Sequence, residues 1–226
     1  MPLTDYIAKN SHVRVGVWQI AEDEGYFMKK LPLTDAERAD LKTKRGHRRL
    51  EFLASRYLVQ VMVGWAYHLE KDGFGKPYLA NADYHISVSH SKEFTAFIIG
   101  KNLVGIDIQY ITPRIEIIAK RVMNDVKFNS LSEHNRLEHL HVYWGAKEAL
   151  YKAYGKGELD FRKNILIAPF AYKDTIDLFG HMDGTSQSNR EGVFYGSIEI
   201  EDVKMDFTLY YKKIENYILV YAIEKK

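Results

Sequence analysis

Two long segments of helical periodicity, each flanked by short strand-like segments, most constrain the fold of this chain. Apolar residues recur at helical spacing from about residue 48 to 69. A second helix is expected from 132 to 154, with Ser132 as its N-cap and Gly155 ending it. Strand-like patterns occur at residues 13–20, 85–90, 94–99, 102–111, 165–170, 193–200, 207–211 and 218–223. Because runs of strands are separated from runs of helices, we expect an α+β fold rather than a doubly wound sheet.

Local signals indicate where further elements begin and end. Thr34 and Glu37 form a capping-box pattern, which predicts a helix immediately after Thr34. Residues 72–77 predict a turn, and Pro113 can open a helix at about 114–123 because its missing N–H is not needed there. The order of elements is similar in the two parts of the chain. We therefore expect two α+β halves, 1–104 and 105–226.

Composition excludes several classes of protein. The chain has 226 residues, of which 46% are hydrophobic, so it can bury a core. It has no cysteine, which excludes disulfides and thiolate chemistry. No signal peptide is visible and no apolar run reaches the length of a membrane helix, so we expect a cytoplasmic protein with no membrane partner. A net charge of +2 is too small to indicate nucleic-acid binding.

Acidic residues occur at two positions that could meet in the fold. Asp107 lies within an apolar strand, and Gln109 faces the same side of that strand. Glu148 and Lys152 are four residues apart, so they share one face of the second helix. If strand and helix meet, two carboxylates and a lysine could hold a divalent cation against phosphate oxygens. The structural alternative is a buried salt bridge at Asp107 and ordinary helix ion pairs.

Cationic residues in the first half could bind phosphate. Lys76 lies in the turn at 72–77, and Ser89 and His90 lie between two predicted strands. Each could equally be an exposed or structural residue, and the basic cluster at 42–49 could be a solvated helix face. There is no glycine-rich nucleotide loop and no His/Cys spacing typical of zinc.

The order of these motifs resembles a known family. Gly75-Lys76-Pro77, Ser87 to Ser91, Gly105-Ile106-Asp107, Trp144 to Lys152 and Gly155-Lys156-Gly157 follow one another as in the Sfp-type 4′-phosphopantetheinyl transferases. The resemblance covers roughly residues 48–157. The Gly-Ile-Asp and Trp-x-x-Lys-Glu-Ala motifs are its most specific part.

The resemblance implies a fold and a reaction. The fold would be a monomer of two similar α/β subdomains with pseudo-twofold symmetry and the active site in the cleft between them. Coenzyme A would bind with Mg²⁺ at its pyrophosphate. The serine of an apo acyl or peptidyl carrier protein would attack the β-phosphorus, releasing 3′,5′-ADP.

The resemblance also assigns roles to individual residues. Asp107, Gln109 and Glu148 would hold the metal. Glu148, or a water that it orients, would accept the serine proton, and Lys152 would offset charge on the pyrophosphate. The residues that would bind coenzyme A are Arg49, Arg56, Lys76, Ser89 and His90, with Arg48 as an alternative or addition to Arg49.

Two departures from the family pattern open an alternative. Gln109 stands where the family often has Glu, and Lys127 stands near a position that is often acidic, although Asp125 could substitute. These changes are consistent with a paralogue that binds coenzyme A or carriers without transfer. The remaining alternative is an unrelated α+β domain in which the motifs are coincidental.

Overall fold

The computed structural model describes residues 3–10, 12–65, 67–80, 82–123, 128–174 and 191–226. Asp125 and Lys127 lie outside these residues. The Gly-, Ser- and Asn-rich composition of 181–192 predicts a loop; 181–190 also lie outside the described residues, and a strand begins at Gly192. The chain divides into two compact units, Met1–Lys101 and Asn102–Lys226.

The first unit consists of an antiparallel sheet, a small hairpin and three helices. Its elements are β1 (Leu3–Asn10), β2 (Val13–Gln19), α1 (Glu24–Lys30), α2 (Asp35–Thr43), α3 (His47–Val63), β3 (Leu69–Lys71), β4 (Pro77–Leu79), β5 (His85–Ser91) and β6 (Phe94–Gly100). Four strands form a sheet in the order β1-β2-β6-β5, and β3 pairs with β4. Helix α3 packs on the sheet, where Leu53 and Leu58 are fully buried.

Two predictions about the helices of this unit have different outcomes. The capping box is present: Thr34 accepts from the backbone N–H of Glu37, and the Glu37 side chain accepts from that of Thr34. The prediction that α3 extends to residue 69 was wrong, because the helix ends at Val63. Gly64 follows with a φ of 94°, which takes the chain out of helical geometry before Trp65.

The second unit places helices against a five-stranded sheet. Its elements are β7 (Val104–Tyr110), α4 (Ile115–Val122), α5 (Arg136–Tyr154), β8 (Ile165–Ile167), β9 (Gly192–Ile200), β10 (Val203–Ile214) and β11 (Tyr217–Glu224). The strands are antiparallel in the order β7-β11-β10-β9-β8. Helix α5 packs mainly on β7 and β11. Both units are thus mixtures of helices and antiparallel strands, which confirms the α+β prediction.

The ends of α5 differ in how well they were predicted. Ser132 is not the N-cap of the helix. Its hydroxyl accepts a hydrogen bond from the backbone N–H of Asn135 at 3.2 Å, and Asn135 is the N-cap of α5, which begins at Arg136. At the other end Gly155 has a φ of 70°, and its N–H reaches the carbonyl of Tyr151, as expected for a glycine that ends a helix.

The two units share one feature of connectivity. In each, a strand that precedes the helices pairs with the last strand of the unit, β2 with β6 and β7 with β11. A pseudo-twofold relation and a cleft between the halves remain predictions. Within the described ranges, no helix has both the length and the apolar character that crossing a bilayer requires.

Candidate active site

Close approach of α5 to β7 builds the acidic part of the site. A Cβ on Gly105 would lie 1.8 Å from the carbonyl oxygen of Ala149, so only glycine fits at this point of β7. A Cβ on Gly145 would meet Val220 Cγ2 at 2.8 Å and Gln109 Nε2 at 3.2 Å. These two glycines let the helix backbone lie directly on the strand. The strand's acid therefore lies beside the helix's acid and lysine.

Asp107, Gln109 and Lys152 form one hydrogen-bonded group. Lys152 Nζ donates to Asp107 Oδ1 at 2.7 Å, and Gln109 Nε2 donates to Asp107 Oδ2 at 2.5 Å. Asp107 is buried, whereas Gln109 and Lys152 are half-buried. Strand alternation places Asp107 and Gln109 on the face toward α5, as the sequence predicts.

Glu148 lies one turn before Lys152 on α5 and forms an acidic pair with Asp107. Burial raises the pKa of the Glu148 carboxyl, the charge of Asp107 raises it further, and Lys152 lowers it. The two carboxylates therefore repel each other in a partly desolvated place. A cation between them would relieve that repulsion.

The donor set fits a hard divalent cation. Two carboxylates, an amide side chain that can turn its oxygen inward, and solvent are the kind of ligands that Mg²⁺ takes while keeping several waters. Among the residues that the structure describes, no group of three or more His, Cys, Asp or Glu side chains is placed to hold a metal ion. Asp107 and Glu148 would supply two charged ligands, which leaves positions for water and phosphate.

Neighbouring residues of the same helix have structural roles. Lys147 is buried and its Nζ donates to the carbonyl oxygens of Phe161 and, at 2.6 Å, Ile165. Trp144 and Tyr151 stack on the ring of Phe161 at 5.4 and 5.1 Å. This part of the motif therefore anchors the loop after α5 rather than facing a ligand.

A cationic cavity lies in the first unit. Its volume is about 580 Å³, and its lining residues are Asp40, Lys44, Arg48, Glu51, Phe52, Lys71, His90, Ser91 and Lys92. Four lysine and arginine side chains and one histidine face two carboxylates here. Such a lining suits phosphate groups. Of the sequence-predicted residues for coenzyme A, His90 and Arg48 belong to this lining.

Ser89 and His90 leave β5 on opposite faces of the sheet, because side chains alternate along a strand. His90 lies on the α3 side, where its Nδ1 is 3.2 Å from Glu51 Oε2. Ser89 is 4% exposed. The two side chains therefore do not share one surface, which makes His90 the better-placed phosphate ligand of the pair.

Arg49 and Arg56 both form ion pairs within the unit, and their role in binding coenzyme A remains a prediction. Arg49 donates through Nε and Nη2 to Glu24 of α1, and through Nη1 to the carbonyl oxygen of Leu41 at 2.9 Å. Arg56 Nε donates to Glu37 of α2 at 2.8 Å, and its guanidinium lies 3.3 Å from the centroid of the Phe52 ring. Both arginines join neighbouring helices to α3. Arg56 also lines a second cavity, of about 710 Å³, whereas Arg48 lines the cationic cavity.

Lys76 lies in the connection between β3 and β4, the turn that the sequence predicts. Asp72 organises this turn: its Oδ1 accepts from the backbone N–H groups of Phe74 and Lys76, each at 2.9 Å. Lys76 is half-buried and does not line the cationic cavity. Its role in binding remains a prediction.

The cavity also contains residues that the sequence reasoning missed. Glu51, Lys71 and Lys92 were not singled out, and Lys44 appeared only as part of the basic cluster. Glu51 follows Arg48 by three residues and thus shares its helix face, which is a signal that the sequence did contain. Lys71 and Lys92 come from separate strands and turns, so only the fold reveals their proximity.

Comparisons with known proteins point to one family. The family model described as the 4′-phosphopantetheinyl transferase superfamily matches residues 103–191, which include the acidic pair. A 4′-phosphopantetheinyl transferase gsp from Aneurinibacillus migulanus is 30% identical over 112 residues, 47% of this chain and 47% of that protein. A holo-acyl-carrier-protein synthase from Limosilactobacillus reuteri is 36% identical over 83 residues, 29% of this chain and 70% of that protein.

The matched region thus spans about half the length of the first relative and most of the second. The family-model match at 103–191 contains the strand with Asp107 and the helix with Glu148 and Lys152, whose contact forms the acidic site. Since motif, geometry and both relatives agree, the chain belongs to the 4′-phosphopantetheinyl transferase superfamily.

Proposed function

We propose that this protein transfers the 4′-phosphopantetheine arm of coenzyme A to a serine of an apo acyl or peptidyl carrier protein. The observation that carries the proposal is the contact of Lys152 with Asp107 beside Glu148, within the region that matches the family. We further propose that the metal is Mg²⁺ and that the protein acts as a cytoplasmic monomer.

The proposed reaction is a displacement at phosphorus. The serine Oγ forms a bond to the β-phosphorus of coenzyme A, the bond from that phosphorus to the bridging oxygen breaks, and 3′,5′-ADP leaves with the electron pair. Mg²⁺ held by Asp107 and Glu148, with Gln109 or water, would polarise the phosphoryl oxygens.

The chain's own residues would handle the proton and the charge. Glu148, or a water that it orients, accepts the serine proton. Lys152 is held in place by Asp107 and offsets charge that grows on the leaving group. In the first unit, Lys44, Arg48, His90 and Lys92 bind the phosphates of the nucleotide portion.

Intact-mass spectrometry tests the proposal directly. An apo carrier incubated with the protein, coenzyme A and Mg²⁺ should gain roughly 340 Da, the mass of one phosphopantetheine arm, and a chelator should prevent the gain. Several apo carriers from fatty acid, polyketide and peptide synthesis should be used, because the carrier class is unspecified. No gain with any carrier at high enzyme concentration would overturn the proposal.

A second candidate is a protein that binds coenzyme A or carriers without transfer. It is favoured by the neutral amide of Gln109 beside Asp107, since the family often has an acid at that position. Calorimetry separates the two candidates: binding of coenzyme A without any mass gain of a carrier supports the second.

A further inference from the structure

Glu51 is the structural partner of His90 within the cationic cavity. Its Oε2 lies 3.2 Å from His90 Nδ1, and its side chain is only 12% exposed, whereas that of His90 is 49% exposed. Glu51 lies on α3, packed against the sheet that carries His90. The acid therefore sits behind the histidine, and the histidine lies between it and solvent.

The contact determines which ring nitrogen faces a ligand. The pair is an N···O contact of 3.2 Å, and because an ionised carboxylate can only accept, a proton shared across the contact must be carried by Nδ1 of His90. The ring then leaves Nε2 directed away from Glu51. In the neutral ring Nε2 is an acceptor, and in the protonated ring it is a donor, which an anion requires.

We propose that Glu51 is a positioning residue for His90, holding the ring through Nδ1 so that Nε2 is presented to a phosphate group in the cavity. The inference rests on the proposed function only in naming coenzyme A as the source of that phosphate. The other charged groups that line the cavity are Asp40, Lys44, Arg48, Lys71 and Lys92.

Asp40 offers a matched control, because its neutralisation should change anion binding in the direction opposite to that expected for Glu51→Ala. Asp40 lines the same cavity and forms ion pairs with Lys44 and, at 3.7 Å, with Lys71. Asp40→Asn should leave both lysines more available to an anion and strengthen anion binding. Glu51→Ala also removes one negative charge, so simple electrostatics predicts the same increase. A positioning role predicts the opposite, because the oriented histidine is lost.

Two measurements test the proposal. In the unliganded full-length protein, two-bond ¹H–¹⁵N spectra should show neutral His90 as the Nδ1–H tautomer, and Glu51→Ala should lose that preference. Calorimetry with inorganic pyrophosphate and with coenzyme A should show about 5- to 20-fold weaker binding for Glu51→Ala and tighter binding for Asp40→Asn.

The outcomes separate this inference from the proposed function. An Nε2–H tautomer in the wild type, or tighter anion binding by Glu51→Ala, would overturn the role of Glu51. Failure of coenzyme A to bind would count against the proposed function, while the tautomer spectra would still decide the role of Glu51. Urea unfolding of Glu51→Ala should match that of the wild type, which would exclude a general loss of folding as the cause.

Discussion

Asp107 and Glu148 are both candidate metal ligands, yet their environments differ. Asp107 accepts hydrogen bonds from Lys152 and Gln109, whereas the Glu148 carboxyl has a pKa raised by burial and by Asp107. Removing the charge of Asp107 leaves a lysine without its carboxylate. Removing that of Glu148 relieves repulsion.

We therefore expect Asp107→Asn and Glu148→Gln to separate activity from stability. Each should reduce carrier modification about 100-fold or more, because each removes a charged metal ligand. In metal-free buffer, Asp107→Asn should lower the free energy of unfolding by about 1–2 kcal/mol, and Glu148→Gln should leave it unchanged or raise it. Urea unfolding and initial rates measure both effects, with exposed Asp202→Asn as the control. Near-normal rates in both variants would show that the metal lies elsewhere.

Gln109 allows a second test, because its amide now donates to Asp107. Gln109→Glu replaces that donor with a third carboxylate, so the metal-free protein should lose stability through repulsion. The same change should lower the Mg²⁺ concentration that gives half-maximal rate and enlarge the rise in Tm on adding Mg²⁺. An unchanged Mg²⁺ midpoint, together with an unchanged rise in Tm, would place residue 109 outside the metal's ligands.

The contact of β7 with α5 depends on Gly105, which has no room for a side chain. Gly105→Ala places a Cβ 1.8 Å from the carbonyl oxygen of Ala149 and should lower the free energy of unfolding by about 3 kcal/mol or more. Gly73→Ala is the control, since a Cβ there meets no atom within 4 Å. Chemical denaturation of both variants measures the difference. Equal stability would mean that α5 does not press on β7 as described.

Arginines hold the helices of the first unit to α3. We therefore expect Arg48, Arg49 and Arg56 to differ in their effects on stability and on coenzyme A binding. Arg56→Met breaks a largely buried ion pair with Glu37 and should lower unfolding free energy by about 1–3 kcal/mol. Arg48→Met should leave stability nearly unchanged and weaken coenzyme A binding several-fold, because Arg48 is exposed and lines the cavity. Arg49→Met should lower stability less than Arg56→Met, because its ion pair with Glu24 is more exposed. Thermal melts and calorimetry distinguish the two patterns, and the reverse pattern would restore Arg49 or Arg56 as a ligand.

At the scale of the whole molecule, the free energy of unfolding should decrease at acidic pH because of a buried histidine. Burial lowers the pKa of His139 to about 4, and its ring packs against Tyr143 and Phe170. The unfolded chain, with an ordinary histidine pKa near 6.5, therefore binds a proton at higher pH than the folded protein. The contribution of His139 to the free energy of unfolding is fully present above about pH 6.5. It falls by about 3 kcal/mol in total as the pH is lowered to about 4.

His139→Phe should remove most of this slope while keeping an aromatic ring in the cluster. His141, whose pKa burial also lowers, should leave a smaller slope in the variant. Urea unfolding of both proteins between pH 4 and 7 measures the difference, and carboxylates common to both cancel. Identical slopes would show that His139 is accessible to protons in the folded state.

The sequence by itself determined the features that depend on neighbours along the chain. The Thr34 capping box, the turn at 72–77, the helix end at Gly155 and the strand face shared by Asp107 and Gln109 all rest on contacts or periodicities within a few residues. The pairing of Asp107 with the helix of Glu148 and Lys152 was also predictable, because the motifs occur in family order.

Only the tertiary structure decided which charged side chains have partners. Arg49 and Arg56 looked available for a ligand in sequence, but α1 and α2 bring Glu24 and Glu37 to them. Glu51 reaches His90 across a separation of 39 positions, since helix α3 packs on the sheet that contains β5. Charges attract whichever partner the fold brings close, and the energy of a partly buried pair depends on burial that no local pattern encodes. The identity of the residues proposed to bind phosphate is therefore a property of the packing, whereas the acidic pair is a property of the motif.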